Sequence, residues 1–130
     1  MDTVARLLLA DDHPMMCEGL RAILEPENQV VGVVHDGREV PGAVTRLEPD
    51  LVLLDISLPG RNGLDLAREL HRTHPELKTM ILTMHSERLY ADEALRAGAR
   101  GFVVKLAAGS ELRFAVSEVL AGRTYVTSLV

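Results

Sequence analysis

The sequence predicts an α/β domain built around a parallel sheet. Short apolar runs rich in branched residues alternate along the chain with longer stretches in which apolar residues recur at helical spacing. The apolar runs are continuous, which is typical of strands that helices cover on both faces. An order of strand and helix repeated with short connections predicts parallel strands joined by right-handed crossovers.

Five runs are predicted to be strands, and a helical stripe follows each of them. The strands are Arg6–Ala10, Val30–Val34, Leu51–Leu54, Met80–Thr83 and Gly101–Val104. The stripes are Met16/Leu20/Ile23/Leu24, Val40/Ala43/Val44/Leu47, Leu66/Ala67/Leu70/His74, Ala91/Ala94/Leu95/Gly98 and Leu112/Ala115/Val116/Val119. The simplest five-strand solution is a flavodoxin-like (βα)5 fold with strand order 2-1-3-4-5.

The positions of proline and glycine residues agree with this assignment. Pro14 suits the first position of the first helix, and the third helix is predicted to stop before Pro75. Gly98 and Gly101 mark the entry to the last strand. The tail after Gly122 carries no helical or strand pattern. We expect one domain over residues 1–130, because this length suits a single core.

Composition argues against several classes of function. The net charge is −5, from 14 basic and 19 acidic side chains, and no run of Lys or Arg is present, so we expect no nucleic-acid binding by this chain. The apolar run Leu7–Ala10 is too short to span a membrane. The single cysteine, Cys17, excludes an internal disulfide and suits a cytoplasmic protein; we expect it to be an inert thiol.

Reactive or charged side chains fall at the ends of four of the five predicted strands. They belong to Asp11, Asp12, Asp55, Thr83 and Lys105. Ligands of open α/β sheets bind outside the carboxyl ends of the strands. Because these four strands are neighbours in the order 2-1-3-4-5, we expect the five side chains to converge on one edge of the sheet.

The charges of this group predict a metal site and a nucleophile. Three carboxylates held close together repel one another, and one would take up a proton unless a cation were supplied. We expect a hard divalent cation, Mg²⁺, to neutralise two charges and Lys105 to neutralise the third. Asp55 is then a nucleophile able to accept a phosphoryl group as an acyl phosphate, with the Thr83 hydroxyl donating a hydrogen bond to the product.

The segments that carry these residues resemble the motifs of bacterial response-regulator receiver domains. They are LLLADDHPMMCEGLRAIL, LVLLDISLPGRNGLDLAREL, MILTMH and AGARGFVVKLA, and they cover essentially the whole chain. The resemblance implies that a partner histidine kinase phosphorylates Asp55. It implies that Asp12 binds Mg²⁺ directly and Asp11 through water. The backbone carbonyl of Ser57 would complete the metal site.

The resemblance also implies a conformational switch. The position of Thr83 bonds the phosphoryl group, and that of Lys105 pairs with it. The switch aromatic, often Tyr in the family, is Phe102 here. We expect Phe102 to rotate inward when Thr83 moves toward the phosphoryl group. Leu106 stands where many receivers have Pro.

The first motif and the ending SEVLAGRTYV resemble the subfamily whose receivers precede a LuxR-type helix-turn-helix domain. We therefore expect control of transcription through a DNA-binding domain outside this chain. Met15, Phe114 and Leu120 lie outside the core stripes of the first and fifth helices. Since the subfamily that the chain resembles often uses this surface, the resemblance implies a homodimer through these helices. Leu89 and Tyr90 on the fourth helix form the second candidate surface.

Two other functions are weighed against this one. An aspartyl-phosphate hydrolase would need a second acid/base carboxylate, two residues after the nucleophile, but that position is Ser57. A flavodoxin-like cofactor binder should have a phosphate loop after the first strand, where Asp11 and Asp12 would repel a phosphate. We therefore expect a phosphoacceptor signalling domain rather than an enzyme that turns over substrate. Among the five histidines only His71 and His74 approach metal-ligand spacing, and an exposed helix end is the favoured interpretation.

Overall fold

Parallel strands form the centre of the fold in the computed structural model, which describes residues 4–127. Residues 1–3 and 128–130 of the expected 1–130 domain lie outside the described residues. The strands are β1 Ala5–Ala10, β2 Asn28–Val34, β3 Leu51–Leu54, β4 Lys78–Thr83, β5 Gly101–Val104 and β6 Tyr125–Val126. The helices are α1 Pro14–Leu24, α2 Val40–Leu47, α3 Gly63–Thr73, α4 Arg88–Arg96 and α5 Ala108–Leu120. Two 3₁₀ turns precede α2 and α5, at Gly37–Glu39 and Lys105–Ala107.

The strand order is β2-β1-β3-β4-β5-β6, and every neighbouring pair is parallel. This confirms the flavodoxin-like (βα)5 core with order 2-1-3-4-5. Its one departure from the expected five strands is β6, which pairs with β5 at the edge of the sheet. A two-residue strand is too short for any periodicity, so the sequence pattern could not reveal it.

Side chains of the tail and of α5 hold β6 in place. The backbone N–H of Tyr125 donates to the carbonyl of Arg100 at 3.0 Å, and that of Thr127 donates to the carbonyl of Phe102 at 2.8 Å. The Tyr125 and Thr127 hydroxyls both donate to Oε1 of Glu111 at 2.6 Å. Because Thr127 is buried, these bonds fix the chain against the sheet directly after α5.

Helices cover both faces of the sheet, as the continuous apolar strands predict. Alternate residues of each strand point to opposite faces, so Leu7 and Leu9 pack with α1 and α5, whereas Leu8 and Ala10 pack with α2, α3 and α4. The helical stripes supply the opposing apolar surface. This arrangement places α1 and α5 on one face and brings the carboxyl ends of the strands to one edge.

Local signals set the helix ends near their predicted positions. Pro14 occupies the first turn of α1. The α3 helix begins after Asn62, whose side-chain oxygen accepts from the N–H of Asp65 at 2.9 Å, and it ends at Thr73. Gly98 lies beyond the end of α4 with φ of 101°, a left-handed conformation that glycine adopts without strain. Among residues 4–127, no helix has the length and apolar character needed to cross a membrane.

Candidate functional site

The pairing of β1 with β3 brings two aspartates side by side. Ala10 pairs with Leu54, and each is followed directly by an aspartate, Asp11 or Asp55. Both carboxylates are buried, with 2% and 5% of the residue exposed. The short apolar strands therefore carry two negative charges into the interior at the edge where they end.

Lys105 supplies the opposite charge from the end of β5. Its ammonium Nζ lies 2.7 Å from Oδ2 of Asp11 and donates to Oδ2 of Asp55 at 2.9 Å. Burial by itself lowers the pKa of Lys105, but the two carboxylates outweigh burial and raise that pKa above its ordinary value. Lys105 is therefore a permanently charged bridge between the two buried acids at physiological pH.

Backbone amides hold the remaining carboxylate oxygens. The N–H of Ser57 donates to Oδ1 of Asp55 at 3.1 Å, and the N–H of His13 donates to Oδ1 of Asp11 at 2.8 Å. Oδ2 of Asp11 is buried and makes its ionic contact with Nζ of Lys105 at 2.7 Å. Because each carboxylate oxygen has more than one lone pair, Oδ2 of Asp11 can contact a further cation while it keeps its ion pair with Lys105.

Asp12 and His13 complete the acidic cluster from its exposed side. Nδ1 of His13 lies 3.0 Å from Oδ1 of Asp12 and 3.3 Å from Oδ1 of Asp11. One potential ligand atom each of Asp11, Asp12, His13 and Asp55 lies within 4.8 Å of all the others. This oxygen-rich donor set suits a divalent cation such as Mg²⁺. The spacing of the histidines gave no metal role to His13, although its position directly after the two aspartates was an available signal.

Thr83 lies at the same edge, at the end of β4. It pairs with Val104, the residue before Lys105, and it is fully buried. Its hydroxyl oxygen accepts a hydrogen bond from the N–H of His85 at 3.1 Å. The ring of His85 stacks on Tyr90 of α4, with 4.3 Å between ring centroids. The loop after β4 is thus tied both to Thr83 and to α4.

Phe102 is buried completely in β5 and packs in the core formed with α2, α3 and α4. This ring was expected to rotate inward on activation. In this structure the ring already lies fully buried, in the core that also contains Ala91 and Ala94 of α4. The expected inward movement therefore does not start from this conformation.

The site shows which parts of the sequence prediction converge. Asp11, Asp12, Asp55 and Lys105 form one cluster, and the backbone of Ser57 contacts it through Asp55. The thiol of Cys17 lies next to this cluster, with Sγ 3.6 Å from the backbone carbonyl oxygen of Asp11. Burial, followed by the charge of Asp11, raises the pKa of the Cys17 thiol, in keeping with an unreactive side chain.

A family model described as the response regulator receiver domain matches residues 7–117. The chain belongs to the response regulator receiver family. It is 33% identical over 123 residues to the transcriptional regulatory protein DegU of Brevibacillus brevis, covering 93% of this chain and 52% of DegU. It is 36% identical to the response regulator GacA of Pseudomonas viridiflava, covering 94% of this chain and 58% of GacA. The receiver thus spans a little more than half the length of these curated relatives.

Solved structures agree with the family and with the fold. A LuxR-family two-component response regulator from Aurantimonas sp. superimposes with a TM-score of 0.89 at 35% identity, covering 95% of this chain and 89% of that one. The isolated REC domain of RcsB from Salmonella enterica serovar Typhimurium, solved in the presence of the phosphomimetic BeF3-, gives a TM-score of 0.89 at 26% identity, covering 97% and 95%. The receiver is therefore similar to LuxR-family response regulators in both sequence and structure.

Proposed function

We propose that this receiver accepts a phosphoryl group on Asp55 from a sensor histidine kinase in a Mg²⁺-dependent reaction. The observation that carries the proposal is the position of Asp55, a buried carboxylate bound to Lys105 at 2.9 Å and adjacent to Asp11 and Asp12. Membership of the receiver family supports the same reaction.

The chemistry follows from these contacts. A carboxylate oxygen of Asp55 attacks the phosphorus, the bond from phosphorus to the donor breaks, and the donor keeps the bonding electron pair. Asp11, Asp12, Asp55 and the carbonyl of Ser57 would hold Mg²⁺, which when bound supplies charge neutralisation for the transferring oxygens. Lys105 already carries a positive charge beside Asp55, so it stabilises negative charge there without reorganisation.

The proposed product is a regulatory acyl phosphate rather than an intermediate in substrate turnover. Ser57, two residues after the nucleophile, has no carboxylate to act as a general acid and base. We propose Thr83 and Phe102 as the residues that respond to the phosphoryl group. DegU is named a transcriptional regulatory protein. By analogy, we propose that this cytoplasmic receiver controls transcription through a separate DNA-binding domain and does not bind DNA itself.

Exposed apolar side chains on α1 and α5 support a homodimer as part of this function. Met15 on α1 is 84% exposed, and Phe114 on α5 is 59% exposed. Leu120 is partly buried against the α1/α5 core and adds less to the surface. Leu89 on α4 is 64% exposed and remains the alternative surface, whereas Tyr90 is partly buried and stacks on His85.

Intact-mass spectrometry tests the phosphorylation site. Acetyl phosphate with Mg²⁺ should add one phosphoryl group, and Asp55→Asn should abolish the addition. Asp12→Ala should weaken Mg²⁺ binding strongly. The matched control is Asp92→Asn, which changes an exposed carboxylate on α4 and should leave labelling unchanged. A phosphoryl group that is still added to the Asp55→Asn variant would disprove the assignment.

A further inference from the structure

We propose that His13 supplies a nitrogen ligand to the divalent ion of this receiver and shifts the site's preference from Mg²⁺ toward transition ions such as Mn²⁺. The inference rests on the proposed function, because it concerns the same metal site. Oxygen ligands alone suit Mg²⁺, whereas an imidazole nitrogen favours ions further along the transition series. His13 would therefore determine metal specificity.

The ring of His13 lies against the carboxylates that would bind the ion. Its Nδ1 is 3.0 Å from Oδ1 of Asp12 and 3.3 Å from Oδ1 of Asp11, and its ligand atom lies within 4.8 Å of one from Asp55. Asp11 is 2% exposed, and its buried Oδ2, which pairs with Lys105 at 2.7 Å, keeps a further lone pair for a cation. The cluster thus contains buried carboxylate oxygens and a nearby imidazole nitrogen.

The backbone fixes His13 in this position. His13 precedes Pro14, which restricts it to extended conformations, and its φ and ψ are −107° and 104°. Its N–H donates to Oδ1 of Asp11 at 2.8 Å, and its carbonyl accepts from the N–H of Cys17 at 3.1 Å. A bound ion would therefore meet a ligand whose main chain is already ordered.

The side chain of His13 is not used to stabilise α1. It occupies the N-cap position, where Ser, Thr, Asp or Asn would bond the free amides of the first turn, but it makes no such bond. It faces the carboxylates instead while remaining 69% exposed. A side chain that contacts the carboxylates and does not cap the helix fits a metal ligand better than a residue that starts the helix.

His35 provides a matched control in the same neighbourhood. Its Nδ1 lies 2.8 Å from the carbonyl oxygen of Asp11, so this nitrogen is a donor engaged by the backbone. His35 is absent from the group of potential ligand atoms that includes His13. A substitution of His35 therefore removes a nearby imidazole without removing a proposed ligand.

Pulsed EPR on the receiver loaded with Mn²⁺ alone tests the inference directly. The spectrum should contain ¹⁴N modulation from a directly bound imidazole, and His13→Gln should remove it while His35→Gln keeps it. Calorimetric titrations of Mg²⁺ and Mn²⁺ should show the ratio of their dissociation constants changing on the order of tenfold in His13→Gln, mainly through weaker Mn²⁺ binding.

The outcomes separate this inference from the proposed function. Mn²⁺ binding that depends on Asp12 but lacks ¹⁴N modulation would overturn the role of His13 and leave the metal site intact. Modulation that survives in His13→Gln would also overturn it. If the wild type binds neither ion, or if Asp12→Ala binds Mg²⁺ and Mn²⁺ as tightly as the wild type does, the metal site and the inference are overturned together.

Discussion

Replacing Lys105 with Met tests whether charge balance at the site stabilises the fold. The ammonium lies 2.7 Å and 2.9 Å from the carboxylates of Asp11 and Asp55, and all three side chains are at most 6% exposed. Removing one member of a buried ionic cluster costs about 3–5 kcal/mol, because the remaining charges are left uncompensated. We expect Lys105→Met to lose an amount in this range when metal is withheld with EDTA.

Mg²⁺ should recover part of this loss. Without the ammonium, Asp11 and Asp55 repel each other more strongly, so the folded variant should bind a divalent cation more tightly than the wild type does. If the affinity rises about tenfold, saturating Mg²⁺ restores about 1.4 kcal/mol relative to the wild type. A domain with a stability of about 5–15 kcal/mol can sustain the initial loss and remain folded enough to measure.

Urea denaturation followed by circular dichroism, with EDTA and with Mg²⁺, measures both effects. The control is Lys78→Met, which removes the only other lysine of the sequence from the opposite end of the sheet. Lys78→Met should show a small loss that Mg²⁺ does not change. An equal loss for Lys105→Met in both conditions would refute the reasoning, because packing rather than charge would then explain it.

The pH dependence of the stability difference between the wild type and Lys105→Met provides a second test of the charge effect. The pKa of Lys105 is raised in the folded state above the ordinary value of 10.5. Its contribution to stability is therefore complete below that value and is lost as the pH rises through the folded pKa. The difference between wild type and Lys105→Met should stay constant between about pH 6 and about pH 9 and shrink above pH 10.5.

Three further predictions concern β6, the switch and self-association. The hydrogen bond to Glu111 raises the pKa of Tyr125 to about 12. Tyr125→Phe should therefore lower the free energy of unfolding by about 1 kcal/mol in urea denaturation near pH 8. This loss should disappear as the pH rises from 10 toward 12. Thr83→Ala should still be phosphorylated in intact-mass assays, yet beryllofluoride should no longer change its sedimentation. Phe114→Glu should reduce self-association in sedimentation velocity with beryllofluoride, whereas Leu89→Glu should not; the reverse result would favour α4 as the dimer surface.

The sequence predicted the core of the sheet because burial on both faces produces an unmistakable pattern. The observed strands contain all five predicted runs, although β2 and β4 begin two residues earlier, at Asn28 and Lys78. Those first residues are polar and lie at the margin of the sheet, where apolar continuity gives no signal. The stripe of α4 extended to Gly98, but the helix ends at Arg96 because the left-handed glycine stops it.

The cluster of acids could be predicted for a related reason. Topology determines which strand ends are neighbours, and Asp11 and Asp55 each follow a strand whose boundary the apolar run defines. Side chains whose positions do not depend on strand boundaries or strand order could not be predicted in this way. His13 depends on the conformation of the turn before Pro14, and the bonds of Glu111 to β6 join residues whose spacing carries no periodic signal. Such contacts follow from three-dimensional packing, which propensity and period do not encode.

The position of β6 gives the chain a short physical connection between its predicted switch and the residues that follow α5. Phe102 lies in the buried core of β5, and its backbone carbonyl accepts the hydrogen bond from Thr127 that holds the tail to the sheet. A displacement of β5 at Phe102 would change the geometry of this bond directly, without first moving α5. Glu111 restrains the same segment from the α5 side through two hydroxyl donors. The tail is therefore sensitive to β5 and α5 together, so weakening one restraint, as in Tyr125→Phe, should leave it more dependent on the conformation of β5.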